Sequence, residues 1–336
     1  MGWFSRGPGR KRSKPSEGKV PSKRRRQLAG FRKLTRATKS GSKDVARPLK
    51  ALEASAGRIA NRLDSNARLL QNVPRIDTNM IIQNKLLRMI ADDLLAAVSP
   101  RYSEPKRLFG PHAQVYSQNY EDAMIGEIFT RIGFGSRRFV EIGVEDGHQN
   151  CTRMLLEHCG FSGVWVEMDP EACARIRTRF AAYIESGRLV LVEGMATAET
   201  INDLIPPEFR DVDLVSVDVD QNTTHVWRAM DLKARVACIE YNAAFPPMLD
   251  IETPYEAETV WDGGHIYGGS LKAIERIGAG KQMSLVGCDL HGVNAFLIAD
   301  SEDLSKFSAP FTAENHFEPL RLQLVSERGH RRVKAS

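Results

Sequence analysis

The sequence predicts an α/β fold built on a mostly parallel, seven-stranded sheet that is closed by an antiparallel hairpin and preceded by helices. Three observations carry this reading. After Pro100, short β-branched apolar runs alternate with helix-length segments, the texture of strands joined by crossover helices. The intervals between the first five runs are about 20 residues or somewhat less, which leaves room for one helix in each connection. The last two are separated only by Asp289-Leu290-His291-Gly292-Val293-Asn294, short enough only for a hairpin.

Taken in order, residues 1–44 are rich in Lys, Arg, Ser, Gly and Pro and have too little apolar surface to offset the entropy of ordering, so a disordered basic tail is expected. Residues 1–50 hold 17 of the 47 basic side chains against Glu17 and Asp44 alone, so a basic tail precedes an acidic body although the net charge is only +5. Such a tail would suit an anionic surface, lipid or nucleic acid. Residues 45–99 form a helical region: Leu52, Ala56, Ile59, Leu63, Ala67 and Leu70 recur at steps of three and four, and Ile82, Leu86, Met89, Ile90, Leu94 and Ala97 do so again after Pro74. These stripes predict packing on each other, on the body or on a second copy of the chain.

The main domain is assigned to 100–305, with a C-terminal extension over 306–336. Its expected strands are 138–142, 163–168, 188–192, 213–219, 235–240, 283–288 and 295–298, and a helix at 270–277 follows a loop rich in Pro and Gly. The five cysteines contain no CxxC pair and sit mostly in apolar segments, which favours buried thiols in a reducing compartment, the cytoplasm. The basic start is followed by no apolar stretch of signal-peptide type, and no run reaches the roughly 20 apolar residues that cross a bilayer.

Candidate site residues fall at the carboxyl ends of the strands, where open α/β sheets bind ligands. The first strand runs into Glu141-Ile142-Gly143-Val144-Glu145-Asp146-Gly147, in which Gly143 and Gly147 permit a tight turn and close approach to a ligand. The spacing is GxxxG rather than the GxGxxG of a pyrophosphate site, and the acids around it would repel a diphosphate and attract a cation. Glu167, at the end of the second strand, is placed to accept the two hydroxyls of a ribose. Asp169 is expected as the N-cap of a helix starting at Pro170, and Glu193 stands where it could meet a base edge. Asp218, Asp220, Glu240 and Asn242 converge at the ends of the fourth and fifth strands. Either Asp218 or Asp220 would act as general base, a divalent metal would sit on oxygen ligands, or the acids would only orient neighbours. The metal-free base is favoured, because Glu240 follows directly on the apolar run 236–239 and is expected to point back into the sheet. His225, His265 and His291 are alternative bases.

Five parallel crossover strands closed by a hairpin are the Rossmann-like arrangement of class I methyltransferases. Residues 110–300 also resemble the FkbM-type methyltransferases, through Ser117-Gln118-Asn119-Tyr120-Glu121-Asp122, the 139–147 loop, Val166-Glu167, Val215-Ser216-Val217-Asp218-Val219-Asp220, and Glu240-Tyr241-Asn242 with Pro246-Pro247. The resemblance implies S-adenosylmethionine as cofactor, lined by Gln118, Glu141, Gly143, Glu167 and Asp218, and O-methylation of a glycan or glycolipid-precursor hydroxyl. After Asp220 the chain reads Gln221-Asn222-Thr223 where the family pattern has Gly, Asn and an acid. A non-catalytic cofactor-binding module is therefore the alternative, with an NAD-dependent oxidoreductase behind it.

Overall fold

The computed structural model describes residues 97–108, 114–259 and 267–321, with isolated positions between 50 and 95. The chain divides into two units, 1–78 and 79–336. The expected basic tail, most of the helical stripes and the end of the C-terminal extension lie outside the described residues. Of the second stripe, Ile90, Leu94 and Ala97 are helical and exposed.

Seven strands, β1 Arg138–Ile142, β2 Ser162–Glu167, β3 Leu189–Glu193, β4 Asp211–Val217, β5 Lys233–Glu240, β6 Met283–Cys288 and β7 Asn294–Ala299, form one sheet in the order β3-β2-β1-β4-β5-β7-β6. The first five run parallel. β7 lies antiparallel between β5 and β6, so the hairpin is folded back into the sheet. Each expected run falls on one of these strands, with bounds shifted by at most two residues.

The helices are α1 Glu121–Ile132, α2 Arg153–His158, α3 Pro170–Arg179, α4 Ala181–Glu185, α5 Ile201–Leu204, α6 Thr223–Ala229, α7 Leu271–Gly280 and α8 Ala313–His316. Helix α3 starts as its sequence dictates: Asp169 accepts from the Glu171 amide at 2.9 Å, and Pro170 occupies the first turn. Ser270 caps α7 in the same way through the Ala273 amide at 3.2 Å. At α1, Ser117 and Asp122 of the Ser-Gln-x-x-Glu-Asp element are engaged within the protein. Asp122 accepts the amides of Val115, Tyr116 and Ser117 at 2.7–2.9 Å, and its own amide donates to the Ser117 hydroxyl at 3.0 Å.

The sheet is covered on both faces, which is why its strands read as continuous apolar runs rather than alternating ones. Val140, Ile142, Val164, Val166, Val215, Val217, Ala237 and Ile239 join one core with Trp227, Leu271 and Ile274 from α6 and α7. Phe139, Trp165, Leu214, Val236, Cys238 and Phe296 point the other way, into a core with Ile125 and Ile128 of α1 and Leu155 of α2. Cys173, Cys238 and Cys288 are buried, Cys151 and Cys159 are half-buried, and all five thiols are free. No helix among the described residues is long and apolar enough to cross a membrane.

The start and end of this domain meet at Glu318. Its carboxylate accepts from Arg101 at 2.9 Å, from the Tyr102 hydroxyl at 2.8 Å and from Arg321 at 2.8 Å, while its carbonyl accepts the Tyr241 hydroxyl at 2.7 Å.

Candidate active site

The carboxyl ends of β1, β2, β4 and β5 form one acidic shelf. The β1 chain leaves the sheet at Gly143, whose φ of 80° lies in the left-handed region. A Cβ there would stand 1.8 Å from the backbone carbonyl oxygen of Asp218, so glycine is what lets the β1 and β4 ends touch. Gly147, at φ 73°, packs against Phe180 and Trp165, where a Cβ would come within 2.8 Å and 3.1 Å of the rings. Both glycines shape the loop through contacts with protein.

Two acids of the sequence reading are engaged within the protein. Glu141 is buried and accepts from the Cys151 amide at 2.8 Å, the Thr152 amide at 3.2 Å, the Asn150 side chain at 3.3 Å and the Thr152 hydroxyl. Burial pushes its pKa up, against the pull of these bonds. Its carboxylate thus ties the far end of the loop to the strand from which the loop departs. Glu167 accepts four backbone amides: Val144 at 3.1 Å and Glu145 at 2.7 Å on one oxygen, Met168 at 2.9 Å and Asp169 at 2.8 Å on the other. That fills its usual lone-pair directions, so ribose hydroxyls would have to exchange with main-chain donors.

Gln118 is exposed and its amide donates to Gln149 at 3.2 Å, beside the loop. Glu193 is exposed and paired with Arg177 at 2.7 Å. Asn242 is turned inward, donating to the Tyr267 carbonyl at 3.1 Å and accepting from the Ala244 amide at 3.0 Å. His225 bonds the Thr253 carbonyl at 2.8 Å, and buried His291 lies 3.7 Å from Asp289. His265 lies outside the described residues.

Asp218, Asp220 and Glu240 come together. One carboxylate oxygen from each lies within 4.8 Å of the other two. This corrects the expectation that Glu240 points back into the sheet. The β4–β5 register pairs Leu214 with Val236 and Ser216 with Cys238, so 218 and 240 follow on the same face and at the same level. Asp220 holds a φ of 52°, an unusual conformation that aspartate tolerates better than most residues. Its carbonyl accepts the Gly268 amide at 3.0 Å, and the next carbonyl, of Gln221, accepts the Thr253 hydroxyl at 2.7 Å. The 251–256 loop is held in turn by Glu252, which bonds Arg228 and Arg276.

Although Asp218 as a residue remains open to solvent, crowding of its carboxyl by protein and then the charge of Asp220 push its pKa up to about 7. Glu240, only 2% exposed, is pushed well above the carboxylate range by burial and then by Asp218 and Asp220. Two further groups belong here. Glu145, at φ 47°, is raised by burial and by Asp146, Glu167 and Asp220. Tyr267, raised to about 12 by burial and by the charges of Glu240 and Asp218, was not among the sequence candidates. It sits in an irregular loop, where no periodicity points to it.

No family model matches the chain, and no curated protein matches its sequence. Among solved structures the chain is similar to an SAH-bound methyltransferase of Podospora anserina, at 17% identity over 63% of this chain and 87% of that one, with a TM-score of 0.35. It is also similar to the CcbJ methyltransferase of Streptomyces caelestis, at 18% identity over 40% and 53% of the two chains and a TM-score of 0.27. A third is the [4+2]-cyclase SpnF, at 10% identity over 60% and 74% and a TM-score of 0.35. Likeness at this level concerns the fold.

Proposed function

We propose that the domain is an S-adenosylmethionine-dependent methyltransferase that methylates a hydroxyl, with a glycan or glycolipid precursor as the acceptor class. The observation that carries this reading is the sheet order, with an antiparallel seventh strand inserted between β5 and β6, together with an acidic shelf at its switch point.

The donor set fits a cationic cofactor. Glu145 and Glu167 flank the Gly143 turn, and among the described residues neither forms an ion pair with a basic side chain that would offset a ligand cation. Gln118, Gly143, Gly147 and Glu193 are the further residues that this reading assigns to the cofactor. Bound there, S-adenosylmethionine supplies an electrophilic methyl group. The chain's own contribution is alignment and disposal of the acceptor proton. Asp218, with a pKa near 7, is suited to take a proton at neutral pH, and burial with the charges of Asp220 and Glu145 keeps that pKa high.

Calorimetry of the full chain with S-adenosylhomocysteine and with NAD tests the cofactor. Saturable binding of the first and none of the second is expected, and the opposite pattern would make the domain an oxidoreductase. Methyl transfer to hydroxylated glycan acceptors then separates an enzyme from a binding module. Glu167→Gln should weaken binding about tenfold, either through a ribose hydroxyl that displaces one of the four amides on its carboxylate or through the loop those amides hold; unchanged affinity would remove Glu167 from the cofactor site.

A further inference from the structure

The acidic shelf contains a feature that methyl transfer does not use. Glu240 is buried, and its Oε2 has no hydrogen-bond partner among the described residues. A buried carboxylate oxygen without a donor is costly and calls for a ligand. The neighbours are also anionic: oxygens of Asp218 and Asp220 lie within 4.8 Å, and neither Asp218 nor Glu240 forms an ion pair with a basic side chain among the described residues. The nearby arginines 228 and 276 are committed to Glu252 and Asp250.

We propose that Asp218, Asp220 and Glu240 bind a hard divalent cation, with Glu240 Oε2 as its buried ligand. The spacing is compatible. Two oxygens on one ion at about 2.1–2.6 Å can stand no more than roughly 4–5 Å apart, which the 4.8 Å limit of this trio meets. Three carboxylates offer only oxygen, the donor set of magnesium, calcium or manganese rather than zinc. They would leave coordination positions open towards the shelf, where water or an acceptor oxygen could enter. The role of the ion in activating an acceptor hydroxyl rests on the methyltransferase reading, whereas the site itself does not.

Manganese is the probe, titrated into the full-length protein without cofactor and followed by electron paramagnetic resonance of the free ion. One saturable site is expected. Glu240→Gln and Asp218→Asn should each weaken it at least tenfold, while Glu208→Gln, an exposed acid before β4 at the opposite end of the sheet, should leave it unchanged. Absence of a saturable site up to millimolar manganese overturns the proposal, and so does wild-type affinity in both site variants. If either variant fails to fold, the wild-type titration still decides. Calorimetry with S-adenosylhomocysteine on the same samples, with the ion chelated, reports on the cofactor separately, so loss of one reading leaves the other standing.

Discussion

At the residue scale, the shelf is assembled by close backbone approach and disfavoured by its own charge. Gly143→Ala should destabilise the domain by about 3 kcal/mol, the sum expected for overpacking and a left-handed non-glycine residue, because the Asp218 carbonyl that blocks its Cβ is main chain and cannot rotate away. Urea unfolding measures this, and a loss below about 1 kcal/mol would mean that the two strand ends are not packed as described. Asp218→Asn should act in the opposite direction. The folded pKa of Asp218, about 7, lies above its ordinary value of 3.8, so ionisation costs stability. That cost is absent below 3.8, grows through the interval and is complete above 7. In the presence of a chelator the variant should therefore melt higher than wild type at pH 8 and level with it near pH 4. No gain at pH 8 would show that the acids do not repel.

At the element scale, the 251–256 loop supports the shelf through one carboxylate. Burial works against the charge of Glu252, but hydrogen bonds from Arg228 and Arg276 hold its pKa down to about 2. The folded value lies below the ordinary 4.5, so this contribution is complete above 4.5 and fades as the pH falls towards 2. An Arg228→Met, Arg276→Met double variant should be less stable at pH 6 and should lose much of wild type's decline between pH 4.5 and 2, seen by thermal melts across that range. Parallel acid sensitivity in both proteins would count against the anchor.

The elements were legible in the sequence where packing on two faces makes an apolar run unmistakable. All seven strands fall into that class, as does the hairpin whose short connection excludes a crossover. The shelf was legible only as a set of acids after apolar runs. What Glu141 and Glu167 bind was not, because a carboxylate accepts main-chain amides as readily as ligand hydroxyls, and the path of the loop decides between them. The direction of Glu240 depends on the β4–β5 register, which no single strand carries in its own sequence.

At the scale of the whole molecule, the sequence stripes over 45–99 predict self-association, and Leu87, Ile90, Leu94 and Val98 are 59–66% exposed. Removing residues 1–99 should leave binding of S-adenosylhomocysteine intact and lower the mass in solution, measured by light scattering. A truncated protein of unchanged oligomeric state would exclude that role.

Glu318 holds the first and last described stretches of the domain side by side, through Arg101 and Tyr102 at one end and Arg321 at the other. A fold entered and left at a single point is topologically close to a ring. Its order along the chain is then one of several that the same contacts would tolerate. Joining residue 99 to residue 321 by a short flexible linker and opening the chain at the exposed Gly187 turn, where nothing stands within 4 Å of a Cβ position, should give a circular permutant with the same sheet order. Pulled by its original ends, the domain would load the Glu318 clasp together with the bonds of Arg321 to Leu290 and His291, so this junction would act as a mechanical fuse.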